Sequence, residues 1–335
     1  MYRNFVALAC AGVLSACAAI GSGGDNSDNP LVDGDGSGIG DDNQPLVADP
    51  TATTDDSTPV TGTDTDPDQA FGHEHDDNLR MNAVDFDPTT GELVLNNLPF
   101  DGDDNLYQRN GAASVSIQGT SGTGFDAYRN ASGTADYYAV FRLSDSGFSQ
   151  VTAAATDRYV SFGFGGVAAQ RLSGSGALPE ADQSYVFTGE YAAVRTVTNT
   201  GAGVSVQYVT GVATLDVDIE DFDDIGAVEG IIASRQFFDE NGVHIADLDG
   251  ADFISLATSQ INFDDWTIQS STATAYVNGE AGATGNWEGM FAGPNGEEVA
   301  GIVIVEGDGP VGIDPDTGAY VEVSVRETGG FVATR

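Results

Sequence analysis

Cysteine, histidine and carboxylate are the side chains here that could do chemistry, and their placement decides which chemistry is open. A thiol is a nucleophile and an acyl acceptor, and the two copies, Cys10 and Cys17, both lie near the start of the 335-residue chain. A disulfide framework in the body of the protein is therefore excluded. Of the three histidines, His73 and His75 flank Glu74 in a polar acidic stretch, and His244 sits beside an Asn241-Gly242 turn. None stands at a spacing that pairs a base with a nucleophile, and no Gly-x-Ser-x-Gly elbow or zinc-ligand spacing occurs. The 52 acidic residues would permit a carboxylate pair for glycoside hydrolysis, but the same abundance singles out no pair. The expectation is a protein that is not an enzyme.

Carboxylates also hold calcium. Asp308, Asp314 and Asp316 gather around a glycine-rich stretch and could supply oxygen ligands to Ca²⁺, although Asp and Gly are equally the ordinary residues of turns. Asp33-Gly34-Asp35-Gly36-Ser37-Gly38 begins like an EF-hand loop, but the twelfth position is Gln44 rather than Glu and no flanking helices are indicated. Gly307-Asp308-Gly309-Pro310-Val311-Gly312 matches a dinucleotide fingerprint, yet Ile313-Asp314-Pro315-Asp316 breaks the helix that such a site requires. Tyr107, Tyr128, Tyr137, Tyr138 and Tyr159 could stack on a planar ligand or fill half-buried sheet positions.

The thiol with a defined fate is Cys17. Arg3 supplies a positive start, and Phe5 to Leu14 supply an apolar run shorter than the roughly 20 residues of a transmembrane helix. The run ends in Leu14-Ser15-Ala16-Cys17, which resembles the bacterial lipobox, where small residues fit the lipoprotein signal peptidase and the thiol takes a diacylglyceryl group. That resemblance implies a signal peptide over residues 1–16, lipidation of Cys17 and, with Ala18 rather than aspartate following, an outer-membrane address. Several acyl chains anchor stably where one binds only marginally. Residues 17–80 are Gly, Asp, Asn, Thr, Ser and Pro with one aromatic, Phe71, a composition expected to form a disordered acidic tether.

The charge narrows the partners. Against the 52 acids stand 11 basic residues, all arginine, for a net charge of −41. Nucleic-acid binding and a grip on anionic headgroups both need cationic patches, so neither is expected. Without lysine, Walker-A loops, Schiff-base lysines and Ser-Lys hydrolases are excluded.

The elements that must position any site read as strands. In residues 81–180, Ala83–Phe86 and Glu92–Asn96 form a hairpin about Pro88-Thr89-Thr90-Gly91, Ala113–Gln118 alternates as a strand, and Tyr137–Leu143 and Arg158–Gly165 read as further strands. In residues 181–335, Tyr185–Arg195, Val204–Ile219, Gly226–Phe238, Ala251–Leu256, Trp266–Val277, Trp287–Phe291, Val299–Val305, Tyr320–Val325 and Gly330–Thr334 give eight or nine candidates. Leu215, Val217 and Ile219 alternate with Asp216, Asp218 and Glu220, so one face goes inward and carboxylates go outward. Eight strands close a small soluble barrel filled by side chains or by one ligand. The expected fold is all-β: an eight-stranded antiparallel barrel preceded by a smaller β-rich domain.

The C-terminal residues carry a family resemblance. Gly289-x-Phe291-x-Gly293-Pro294-Asn295-x-Glu297-Glu298-Val299-x-Gly301, followed by Gly329-Gly330-Phe331 and a final Arg335, resembles the signature of the transferrin-binding protein B β-barrel family. The resemblance implies a "handle" domain over 81–180 before the barrel over 181–335, and a binding role at the cell surface. It also implies work beside a TonB-dependent receptor, display by a dedicated lipoprotein exporter, and ligands among host iron proteins and haem proteins. Ala292 replaces the tyrosine usual before Gly-Pro, a large body with paired lobes is missing, and lysine is absent; these departures argue against transferrin itself and leave capture of a small solute, haem or another surface protein as the binding role. The second reading is a structural or adhesive surface module with calcium-braced loops and no small ligand.

Overall fold

The computed structural model describes residues 69–73, 81, 84–96, 98, 101–102, 105–158, 164–179, 184–199, 203–219 and 226–335. Cys17 with its lipobox, the EF-hand-like stretch, His75 and Tyr159 lie outside these residues. Among them no helix is long and apolar enough to cross a membrane.

The first domain is one antiparallel sheet. Its strands are β1 (Gln69–His73), β2 (Val84–Asp87), β3 (Glu92–Leu95), β4 (Leu106–Arg109), β5 (Asp126–Asn130), β6 (Tyr137–Leu143), β7 (Ser149–Thr156) and β8 (Gly165–Arg171). They stand in the order β1-β8-β7-β6-β5-β4-β3-β2. The β2–β3 hairpin forms because the Asp87 carboxylate accepts the Thr89 amide at 2.7 Å and Gly91 takes a φ of 73°. These N–H donors hold the Asp87 carboxyl below its ordinary value.

Three expectations change here. Gly111–Ser121 is a helix, α1, where a strand over 113–118 was expected. Its Ala-Ser-Val-Ser-Ile run mimics a period of two, yet the buried positions are Ala113, Ser114 and Ile117 while Val115 is exposed, as on a helical face. Asn110 Oδ1 caps the Ala113 amide and Gly122 ends the helix in the left-handed conformation. Second, Gln69–His73, within the expected tether, pairs with β8 from Gln69↔Gln170 to His73↔Gly166 as an edge strand. Third, the strand after β7 begins at Gly165 rather than running over Arg158–Gly165, of which 159–163 are outside the described residues.

The second domain is the closed barrel. It comprises β9 (Ser184–Asn199), β10 (Gly203–Asp218), β11 (Ala227–Asp239), β12 (Asp252–Asn262), β13 (Thr267–Val277), β14 (Glu280–Ala292), β15 (Glu298–Ile313) and β16 (Tyr320–Thr334). Tyr320–Val325 and Gly330–Thr334 are one strand, so the count is eight. Closure is made by β16, which pairs with β15 on one side and with β9 on the other, from Val325↔Val197 to Thr334↔Thr188. No strand of this sheet is left with an open edge.

Burial explains the two kinds of sequence pattern. Along β15, Val299, Val303 and Val305 face the barrel interior, while Ala300, Ile302 and Ile304 join the core of the first domain. A strand buried on both faces reads as a continuous apolar run. Leu215 and Val217 of β10 are buried and Asp216 is exposed, because the outer face of that strand is wet. The first domain therefore packs through β7 and β8, which are buried throughout, onto the barrel wall of β14, β15, β16 and β9.

Glycines on the wall make room for an aromatic ring. Gly289 pairs with Gly301, and Gly301 with Phe331. A Cβ at Gly301 would stand 2.3 Å from Phe331 Cζ. Gly301→Ala should therefore destabilise the protein by about 1–3 kcal/mol through overpacking. Gly312→Ala, where nothing lies within 4 Å, should change it by less than about 0.5 kcal/mol. Urea unfolding of both variants checks the contrast.

Candidate functional site

The C-terminal signature assembles into a latch between the two domains. The β14–β15 turn presents Gly293, whose N–H donates to Ser173 O at 2.9 Å and whose carbonyl accepts the Gly176 N–H at 3.0 Å. Ser173 and Gly176 belong to the segment leaving β8. A Cβ at Gly174 would lie 2.1 Å from the Gly293 carbonyl carbon, so only glycine permits this approach. Asn295 donates its amide and its side-chain Nδ2 to the Glu297 carboxylate at 2.9 and 2.8 Å, which closes the turn and holds that carboxyl below its ordinary value. Arg335 donates Nη2 to Asn295 O at 2.8 Å and Nε to Gly296 O at 3.2 Å, while its guanidinium lies 5.0 Å from the Tyr185 ring centre. Glu298, 2% exposed, accepts hydrogen bonds from Ser146 and, at 2.8 Å, from Ser149 of the first domain. Gly330 leaves space for Val151, whose Cγ1 would stand 2.5 Å from an added Cβ.

Arg171 completes the latch and was not singled out from the sequence. From the end of β8 its Nε donates to Phe291 O at 2.6 Å, and its Nη2 donates to Asp265 O at 2.8 Å and Trp266 O at 3.2 Å. One guanidinium thus ties the first domain to β14 and to the β12–β13 turn. The only readable signal was a lone arginine ending an apolar strand.

The barrel interior is filled. Phe187, Tyr191, Phe237, Trp287, Phe291 and Phe331 are all fully buried there. Among them sits an ionic network that sequence reasoning also missed. Arg235 donates to both oxygens of Glu327 and to Asp252 Oδ2. Tyr191 donates to Glu327 Oε1 at 2.6 Å. Arg195 donates Nη1 to Gln207 Oε1 and to Pro310 O, both at 2.9 Å, and its Nε lies 3.9 Å from Glu327 Oε2. Both guanidinium carbons stand 5.2 Å from the Phe237 ring centre. Desolvation pushes the Asp252 carboxyl up despite the pull of Arg235 beside it, and pushes the Tyr191 phenol up as well, so Tyr191 stays a donor.

The remaining predicted residues are not brought together into a site. Asp314 accepts the amides of Asp316 and Thr317 at 2.8 and 3.2 Å, so it caps the β15–β16 turn, whereas Asp308 lies within β15 opposite Ser324. Among the described residues no group of three or more His, Cys, Asp or Glu is placed to hold a metal. Tyr107, Tyr128, Tyr137 and Tyr138 are buried in the first domain's core rather than displayed to a planar ligand.

No protein-family model and no curated protein matches this sequence. Solved structures do resemble it. A double mutant of transferrin-binding protein B from Haemophilus parasuis Hp5 matches at 14% identity and TM-score 0.36, over 80% of this chain and 51% of that one. An intact transferrin-binding protein B with N and C lobes matches at 12% and 0.35, over 80% and 52%. A surface lipoprotein matches at 17% and 0.30, over 58% and 79%. The chain spans about half the length of the two transferrin-binding proteins. The solved structures it resembles are thus transferrin-binding proteins B and a surface lipoprotein, and the handle-plus-barrel architecture itself stands on the strand pairing described above.

Removing one member of the interior network leaves buried charge uncompensated. Arg235→Met should destabilise by about 3–5 kcal/mol, read by denaturant unfolding. The raised Asp252 carboxyl sets a pH dependence. Its contribution to stability is fully present below the unfolded value and is lost as pH rises through the folded one. Subtracting the stability curve of Asp252→Asn from that of the unsubstituted protein should give a difference that falls as pH climbs above 3.8.

Proposed function

We propose that this chain is a lipid-anchored binding module displayed on the outer membrane, that it is not an enzyme, and that its ligand is a protein. The observation that carries the reading is the latched pair of domains around a filled barrel. With Trp287, Phe291, Arg195 and Arg235 occupying the interior, binding falls to outer surfaces and connecting turns. Haem capture inside the barrel has no support in this packing. Cys17 after Leu14-Ser15-Ala16 supplies the anchor, and residues 18–68 supply the reach. A TonB-dependent receptor and a lipoprotein exporter belong to this reading as candidate partners.

Cells expressing the protein should incorporate labelled palmitate into it, carry it into the detergent phase, and expose it to protease added outside. Cys17→Ala should lose the label and the detergent partition. Label persisting in that variant, or protection from protease in intact cells, overturns the anchoring. Added haem should move the melting temperature by less than about 1 °C, since a bound ligand in excess would raise it by several degrees.

A further inference from the structure

The outer wall at β9–β11 carries two facing carboxylates, one of which, Glu229, also accepts a hydrogen bond from Thr258 Oγ1 at 2.8 Å. Asp216 of β10 stands directly opposite Glu229 of β11, and both are exposed. Like charges facing one another across neighbouring strands oppose sheet pairing. Beside them runs aliphatic surface. Val186 is 55% exposed and pairs with Asp216, and Ile231 is 38% exposed and pairs with Thr214. A cleft of about 450 Å³ opens over the carboxylate pair, lined also by Ser184, Asp218, Ala227 and Thr258.

Among the described residues no arginine pairs with Asp216 or Glu229; Arg142 reaches this wall at Glu190 of β9, its Nε 3.5 Å from Glu190 Oε2. Arg195 and Arg235 are sealed in the interior, Arg171 and Arg335 bond to latch carbonyls, and Arg326 pairs with Glu306. Arg109, Arg129, Arg142 and Arg158 pair with carboxylates at Asp126, Asp136 and Asp145. A second copy of a chain at −41 would bring carboxylate against carboxylate. Anionic lipid and nucleic acid are repelled likewise, and no metal-holding group forms among the described residues.

We infer that the outer face of β9–β11 docks a basic protein segment, one that presents lysine or arginine beside aliphatic side chains. Its cations sit between Asp216 and Glu229, and its apolar groups cover Val186 and Ile231. Charge complementarity orients the segment and speeds its arrival, and the aliphatic surface holds it. This rests on the surface-binding reading and names the surface and the partner chemistry.

The test is calorimetric titration of the full chain with an alternating lysine–valine peptide of about ten residues, long enough to cross three strands spaced about 4.8 Å apart. Physiological salt suppresses loose electrostatic attraction during the titration. Asp216→Asn with Glu229→Gln should weaken binding about tenfold or more, and Ile231→Ser should weaken it several-fold. Glu280→Gln with Asp316→Asn removes the same charge on turns at one end of the barrel and should change binding less than about twofold. The carboxylate variant should also melt no lower than the unsubstituted protein, because it relieves a repulsion. Absent binding, equal weakening by both charge pairs, or a lowered melting temperature overturns the inference. Membrane anchoring and surface exposure are read separately, so a failed titration beside intact display condemns this face and leaves the surface-module reading standing.

Discussion

One wall serves two cores, and the rest of the molecule follows from it. Strands β14, β15, β16 and β9 present one face to the barrel interior and the other to the first domain. Polar side chains are therefore pressed out of the face turned to the first domain at the middle of the wall, which leaves Ala300, Ile302, Ile304, Val332, Ala192 and Val194 there. Close approach of two sheets then demands small residues, and Ala153, Ala155 and Ala169, on the same face of β7 and β8 as Val151, answer from the first domain. Burying apolar surface on two sides at about 25 cal/mol per Å² lets this wall stabilise both domains at once. The signature residues gather at its end because that is where chain must cross between domains without leaving backbone groups unbonded.

Legibility in the sequence tracked this constraint. The run Val299–Val305 was legible as a strand, the alternation at Leu215–Ile219 announced a half-wet one, and the Asn241-Gly242 turn marked one of the strand connections. Closure by the last strand was readable from Gly330, Phe331 and the short final run. Helix α1 was not, because Ala and Ser alternate acceptably in either period and its signal lay in the caps Asn110 and Gly122. Nor was the interior network, since Arg195, Arg235, Asp252 and Glu327 each read as an outward charge until pairing across four strands put them together. Of the residues with suspected chemistry, the signature was legible as a group, whereas its role as a latch needed the partner residues Ser173, Gly176 and Arg171.

The ionic network is an expensive way to fill a barrel. Desolvating four charges opposes folding, and a well-packed apolar set is often as stable. Its members are spread over β9, β11, β12 and β16, so only one register of those strands lets Arg235 reach Asp252 and Glu327 together. A sheet whose side chains alternate can slip by two residues without inverting its faces, and such a slip would strand these charges. Register is thereby specified in a barrel whose long strands, 16 residues each for β9, β10 and β15, offer many near-equivalent pairings.

Exclusive use of arginine extends the same logic to the surface. A planar guanidinium engages several acceptors at once, which a lysine ammonium on a flexible stem does less well. Arg171 holds three carbonyls, Arg335 two, and Arg326 grips Glu306 through both Nε and Nη2. Asp136 accepts from Arg129 and Arg158 together, which holds its carboxyl below the ordinary value. With each described arginine bound inward or to a neighbour, the described surface carries its carboxylates without cations in reserve. Salt screens that field within about 8 Å, so it acts at contact range. Any partner that pairs ions with the described surface must therefore bring the positive charge itself.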